Sequence, residues 1–510
     1  MTTRPTIVFG LDGAHYELLE PWIEAGHLPN IERAIDSGIS ADLESVLPPV
    51  TSPNWKAYAT GKNPGKIGIF WWENIDTDNR RVHYPSNRKH VNTEFWELIA
   101  RDEPVGVLGV PTTYPPKDVD SFLVSGPPDG KNTGYAHPSE LESRLDEEFD
   151  YRVRKHHRLD GEREAAAEEI LELIDSRFTA AEMLRSEHDV SFLQVTTFYI
   201  NSLQHYLWDD EYTLQGWQII DEHLGQYLDG DFNVVLMSDH GSNPIRTVFH
   251  INAWLEANGY LATDTDVADT FYRAGITKDR LIQLTNKLGL TALAKRIAPR
   301  KLLQYLPDNT GAVNKEGKTD AVDWEATDAI ASGQGPIYLT ADRGTTEYDR
   351  IRDQLQAELE STTDPDGNAI SDAVYKGEEV YSGSYVDESP DLVIDQTTGA
   401  HIPGGIGREE IFTKPTEEGW RAENKRQGLF VATGPDFAGG THDPISILDL
   451  APTLLHLHDR PIPADMDGTV QQSIFDPDSD SARREVRTEH ISKRKQERAR
   501  IRVVAADLDL

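Results

Sequence analysis

The chain of 510 residues contains no cysteine, which excludes disulfide frameworks, thiolate metal sites and thiol nucleophiles. Any chemistry must use oxygen and nitrogen groups. Basic residues are in deficit, with 50 Lys and Arg against 87 Asp and Glu and a net charge of −37; that excludes a generally basic nucleic-acid binder. Long apolar runs are also missing. The run Ile7-Val8-Phe9 is far short of a signal-peptide core, and nothing approaches the roughly 20 residues of a membrane span. The sequence reads as a soluble, cytoplasmic protein. What is present argues for a fold, since 38% hydrophobic residues, 10 Trp and 18 Tyr are more than a disordered polyanion carries. Acidity spread without a single block fits a surface that stays soluble at very high salt, where self-repulsion is screened, and points to a halophilic source.

Short β-branched runs alternate with helical patterns, the signature of an α/β protein with a mostly parallel sheet covered on both faces. Strands are expected at 5–10, 104–110, 190–197, 232–238, 391–396 and 428–433. Ligands in such sheets bind beyond the carboxyl ends of the strands. Residues 265–310 lack strand character and place Leu281, Leu284, Leu288 and Leu290 near helical spacing. The expected organisation is a core of 1–262 and 320–475, an inserted helical cap at 263–319 and a C-terminal tail at 476–510 with a basic stretch from Arg483 to Arg502.

Three motifs carry chemistry. Leu11-Asp12-Gly13 follows the first strand and puts a carboxylate beside a permissive glycine; alone it reads equally as a turn or a cap. Thr51-Ser52-Pro53-Asn54 puts two hydroxyls before a proline suited to a first helical turn, where free N–H groups and the helix dipole favour an anion. A hydroxyl is a poor nucleophile unless a base or metal lowers its pKa. Ser238-Asp239-His240-Gly241 closes the strand at 232–238, and with Asp12 and Thr51 would complete an O,O,O,N site suited to zinc or manganese. Lys56, five residues after Thr51, is either a phosphoryl-neutralising cation or a solvated helix-face lysine.

The order of these motifs, with Thr60-Gly61, Asn63-Pro64-Gly65, Asp449-Leu450-Ala451-Pro452-Thr453-Leu454 and Asp465-Met466-Asp467-Gly468, resembles the alkaline phosphatase superfamily and, within it, the type I phosphodiesterase/nucleotide pyrophosphatase branch with its prokaryotic phosphohydrolase relatives. The resemblance runs from about residue 5 to 470. It implies an alkaline-phosphatase-like α/β fold and a metal-dependent phosphoester hydrolase in which Thr51 attacks phosphorus and forms a phospho-threonine intermediate. One metal, most simply zinc with manganese as the alternative, would be held by Asp12, Thr51, Asp239 and His240. A second metal is implied as well.

At the second site the sequence departs from the pattern. Asn201, in Asn201-Ser202-Leu203-Gln204-His205, stands where the resemblance implies Asp, and Asn424 stands where it implies His. A site of His205, Asn201 and Asn424 has no anionic ligand, so the second metal is expected to be weak or absent. Two loop histidines, His401 and His442, are the substitutes open to it. Otherwise His205 serves as a general acid that protonates the leaving oxygen in a one-metal mechanism. Ile67 replaces a family histidine, and Trp72 falls near an asparagine that nucleotide pyrophosphatases use on a phosphate oxygen, which weakens any assignment of a nucleotide substrate. The expected partner is a small-molecule, lipid or sugar phosphoester. The alternatives are a phosphoryl or phospho-alcohol transferase and a non-catalytic member of the superfamily.

Overall fold

Seven strands build the centre of the computed structural model, which describes residues 4–85, 88, 92–263 and 321–490. They are β1 (Thr6–Leu11), β2 (Ile39–Glu44), β3 (Val105–Leu108), β4 (Ser121–Val124), β5 (Phe192–Thr197), β6 (Asn233–Met237) and β7 (Gln427–Thr433). Their order across the sheet is β2-β7-β6-β1-β5-β3-β4, and short strands on β2 and β4 extend it to ten. Pairings are parallel except at β7, which runs antiparallel to both β2 and β6, and at the outer strand on β4. The architecture is the expected α/β class, a large and mostly parallel sheet flanked by helices.

Burial on both faces explains the continuous apolar runs. In β1, Ile7, Phe9 and Leu11 enter one hydrophobic cluster and Val8 the other. The first cluster is covered by α2 (Arg163–His188), α3 (Tyr199–Tyr206) and α4 (Glu211–Leu228). The second lies under α1 (Thr51–Thr60) and α5 (Ile447–Leu457).

The expected strand at 391–396 forms as Leu392–Gln396, but in a separate antiparallel sheet of four with Ala329–Ala331, Pro336–Leu339 and Ser371–Lys376. That sheet has its own hydrophobic cluster, to which helix Thr346–Glu360 contributes Tyr348, Ile351, Leu355 and Leu359. A two-stranded ladder, Gly241–Pro244 against Ala422–Lys425, ties the chain just after β6 to the chain just before β7. Residues 264–320, nearly all of the expected cap, lie outside the described residues, as do 491–510 of the expected tail. The preceding stretch packs on the core: Thr488–Glu489 pair in parallel with Ile462–Pro463. Among the described residues no helix is long and apolar enough to cross a membrane.

Candidate active site

The carboxyl ends of β1, β6 and β2 converge with the start of α1. Asp12 follows β1, Asp239 and His240 follow β6, and Thr51 is the first residue of α1, reached from β2 through the loop 45–50. The loop is held at both ends. Ser45 Oγ donates to Asp239 O at 2.7 Å, and Asn54 accepts from Val46 N at 2.8 Å while its Nδ2 meets the carbonyls of Val46, Pro48 and Val50. Asn54 thus shapes the turn that delivers Thr51. No side chain caps the start of α1, so its first N–H groups remain available to an anion.

The structure brings Asp12, Thr51, Asp239 and His240 together, all buried. His240 Nδ1 faces Gly241 O at 2.9 Å; a carbonyl only accepts, so Nδ1 carries the proton and Nε2 is bare. That bare nitrogen lies 3.4 Å from Thr51 Oγ1, 3.2 Å from Asp239 Oδ2 and 3.7 Å from Asp12 Oδ1. Asp239 Oδ2 is buried with no hydrogen-bond partner. One ligand atom from each of Asp12, Asp239 and His240 lies within 4.8 Å of the other two. Lone pairs crowded in this way repel one another and fit a cation.

The electrostatics agree. Burial pushes Asp12 up to about 7, partly offset by hydrogen bonds from Trp55 and Asn201. Burial and the neighbouring Asp12 charge raise Asp239 well above the usual carboxylate range, and burial lowers His240 to about 3. A dication would reverse the two carboxylate shifts.

Two glycines make room for this. A Cβ on Gly10 would lie 2.7 Å from the Trp55 ring, and that ring donates from Nε1 to Asp12 Oδ2 at 3.1 Å. Gly13 has φ 71°, and a Cβ there would lie 2.3 Å from Asn201 Oδ1; its N–H donates to Asp239 Oδ1 at 3.3 Å.

The remaining residues singled out in the sequence fall nearby or elsewhere. Asn201 and His205 lie one turn apart on α3, and Asn201 links His205 to Asp12: its Nδ2 donates to Asp12 Oδ1 at 2.8 Å and approaches His205 Nε2 at 3.2 Å. His205 is buried, and Trp420 stacks on it with ring centroids 3.9 Å apart. Asn424 sits opposite Ser242 in the two-stranded ladder, its Oδ1 buried and unpartnered. His401 is turned to the buried Glu423 through Nδ1. His442 stands beside Ser40 at the amino end of β2, away from Thr51, with Nε2 on Ser473. Lys56 is not the solvated helix-face lysine, and its ammonium is committed to Glu94. It is fully buried, because it points from α1 into the interior. Sequence patterns did not reveal Trp55, Gln204 or Ser242 as supports of the site; the one local cue was Trp55, a single helical turn after Thr51.

A family model described as type I phosphodiesterase/nucleotide pyrophosphatase matches residues 6–422. The chain belongs to that family. It is therefore a phosphoric ester hydrolase, as the phosphodiesterase motifs implied. Murine ectonucleotide pyrophosphatase/phosphodiesterase 5 shares the fold: 14% sequence identity, a TM-score of 0.50, and coverage of 93% of this chain and 100% of that one. No curated protein matches the sequence. For this phosphodiesterase family member, the Asp12, Asp239 and His240 cluster is a donor set suited to a divalent cation.

Proposed function

We propose that the protein hydrolyses small phosphoesters with Thr51 as the nucleophile, through a phospho-threonine intermediate. Asp12, Thr51, Asp239 and His240 would hold one divalent cation, zinc or manganese. The observation that carries this reading is the convergence of Thr51 Oγ1 and two carboxylates on the bare Nε2 of His240, at the uncapped start of α1. The cation, when bound, acidifies the threonine hydroxyl and offsets charge on the phosphoryl oxygens. The N–H groups of the first turn of α1 receive those oxygens, and Trp55 and the Gly13 N–H orient the two carboxylates.

His205 is the proton carrier in this proposal. Its Nδ1 lies 2.8 Å from Ala422 O, so Nε2 is the basic nitrogen; it faces Asn201 Nδ2 at 3.2 Å and exchanges that contact to take a proton from the water that hydrolyses phospho-threonine. The same nitrogen then protonates the next leaving oxygen, keeping the proton count balanced over a cycle. A second reading, transfer of the phosphoryl group to an alcohol, is favoured by Asn201: without a second cation, attack of water on the intermediate is the slower half.

We assign 1–262 with 320–475 to the catalytic core; 476–490 pack on that core through the pairing of Thr488–Glu489 with Ile462–Pro463. The charge of −37 supports a halophilic, haloarchaeal cytoplasm as the working environment.

The test is Thr51→Ala, assayed on bis-p-nitrophenyl phosphate and p-nitrophenyl phosphate with circular dichroism as the fold control. Turnover is expected to fall by about 10³-fold or more. Retained turnover in a folded variant overturns the assignment. Mass spectrometry of a quenched reaction is expected to show phosphate on Thr51, and its depletion by added alcohol acceptors, with a phosphorylated alcohol appearing in its place, favours transfer.

A further inference from the structure

The second cation that the sequence resemblance implies does not fit this site, and the polarity of one amide is the reason. Trp217 can only donate, and its Nε1 meets Gln204 Oε1 at 3.3 Å. The other end of Gln204 is therefore Nε2, which faces Gly13 O and Asn201 Oδ1, each at 3.1 Å, and Ser242 Oγ at 3.2 Å. Asn201 Oδ1 is taken by Gln204 and by Ser242 Oγ at 3.1 Å. Its Nδ2 is thereby turned toward Asp12 Oδ1 and His205 Nε2. From the far side His205 confirms the direction. Its Nδ1 carries the proton on Ala422 O, so Nε2 presents a lone pair that an N–H satisfies.

Two N–H bonds thus point at the groups a second cation would need. A dication placed there would meet hydrogens in place of lone pairs. The other nearby acceptors do not compensate. Asn424 Oδ1 is buried and unpartnered but neutral. Glu423 beside it has Oε1 engaged by Gln334 Nε2 at 2.9 Å and Asn424 N at 2.6 Å, and Oε2 engaged by His401.

We infer that this protein works with a single divalent cation and that the Asn201 amide takes the place of the second. The amide lays partial positive charge on Asp12 Oδ1 and fixes His205 with Nε2 toward the site. Gln204, Ser242 and Trp217 are positioning residues, since they act through Asn201. The inference rests on the one-cation Thr51 reading above, and the experiment separates the two.

Purified protein is dialysed against zinc chloride or manganese chloride, washed, and its metal counted by plasma mass spectrometry. Wild type is expected to hold one equivalent per chain, Asp239→Asn none, and the double variant Asn201→Asp with Asn424→His two. Two equivalents on wild type overturn the inference. One equivalent on the folded double variant also overturns it, because the amide is then not what excludes the second ion. No metal on wild type overturns both this inference and the proposed function. One equivalent combined with a fully active Thr51→Ala overturns only the proposed function. If the double variant does not fold, the wild-type count decides.

Discussion

Trp55 Nε1 donates to Asp12 Oδ2 at 3.1 Å from one helical turn beyond Thr51. The helix that presents Thr51 therefore also sets the carboxylate across from it, and neither can shift alone. Trp55→Phe keeps most of the buried ring and removes the donor. Weakening of zinc or manganese binding by about 10–100-fold is expected, the usual cost of losing a hydrogen bond to a metal ligand. Isothermal titration calorimetry checks this; unchanged affinity would show that Asp12 is held by Asn201 alone.

Lys56 and Glu94 are a buried ion pair with Lys117 at 3.4 Å from the second Glu94 oxygen. Burial lowers the Lys56 pKa, and Glu94 works against that. Lys56→Met leaves Glu94 with less compensation in the interior, at a cost of about 3–5 kcal/mol. Urea unfolding should show that loss while kcat per folded molecule stays at the wild-type value. A large fall in kcat in folded protein would instead place Lys56 in the reaction.

Glu103 accepts from Arg460 Nη2 at 2.6 Å and lies 2.9 Å from His458 Nδ1, while His458 Nε2 reaches Thr6 at the start of β1. Burial opposes the carboxylate charge, but the hydrogen bonds and charges of His458 and Arg460 prevail and hold it at about 2, against an ordinary 4.5. A folded-state pKa below the unfolded one adds stability above the unfolded value, and that stability is lost as pH falls through the folded one. The wild-type advantage over Glu103→Gln should be full above about pH 5 and gone near pH 2. Urea midpoints measured across that window test it, and a difference independent of pH would contradict it.

Salt should stabilise the protein. With a charge of −37, raising sodium chloride from about 0.1 M to above 1 M shortens the Debye length from about 10 Å to below about 3 Å and quenches self-repulsion. Thermal unfolding should shift upward by several degrees over that range. A melting temperature that falls with salt would rule out a halophilic surface.

The strands were legible because burial on both faces leaves unbroken β-branched runs, as in Ile7-Val8-Phe9 and Val234-Val235-Leu236-Met237. For the same reason Leu392–Gln396 could not be told from a strand of the main sheet: its buried run does not say which sheet buries it. Asp12, Thr51, Asp239 and His240 were legible because each lies in a short motif at a strand end or helix start. Their supports were not. Trp55 is 43 residues from Asp12, and Gln204 is 191 from Gly13; a single sequence carries no record of such pairings. Asn201 could be flagged as a departure, but which end of its amide faces Asp12 depends on Gln204, Ser242 and Trp217 together.

The antiparallel β7 has a consequence for the order in which the protein matures. Among the described residues, strand β2, which leads to Thr51, pairs with β7 and with the short strands Gly440–Thr441 and Ile445–Ser446. All of these leave the ribosome after nearly everything else. β1 and β6, with Asp12, Asp239 and His240 at their ends, pair with each other and are both complete by residue 240, well before the partners of the strand that leads to Thr51. The Asp12, Asp239 and His240 side of the site thus rests on strands made early, and Thr51 is expected to be seated only once β7 is in place.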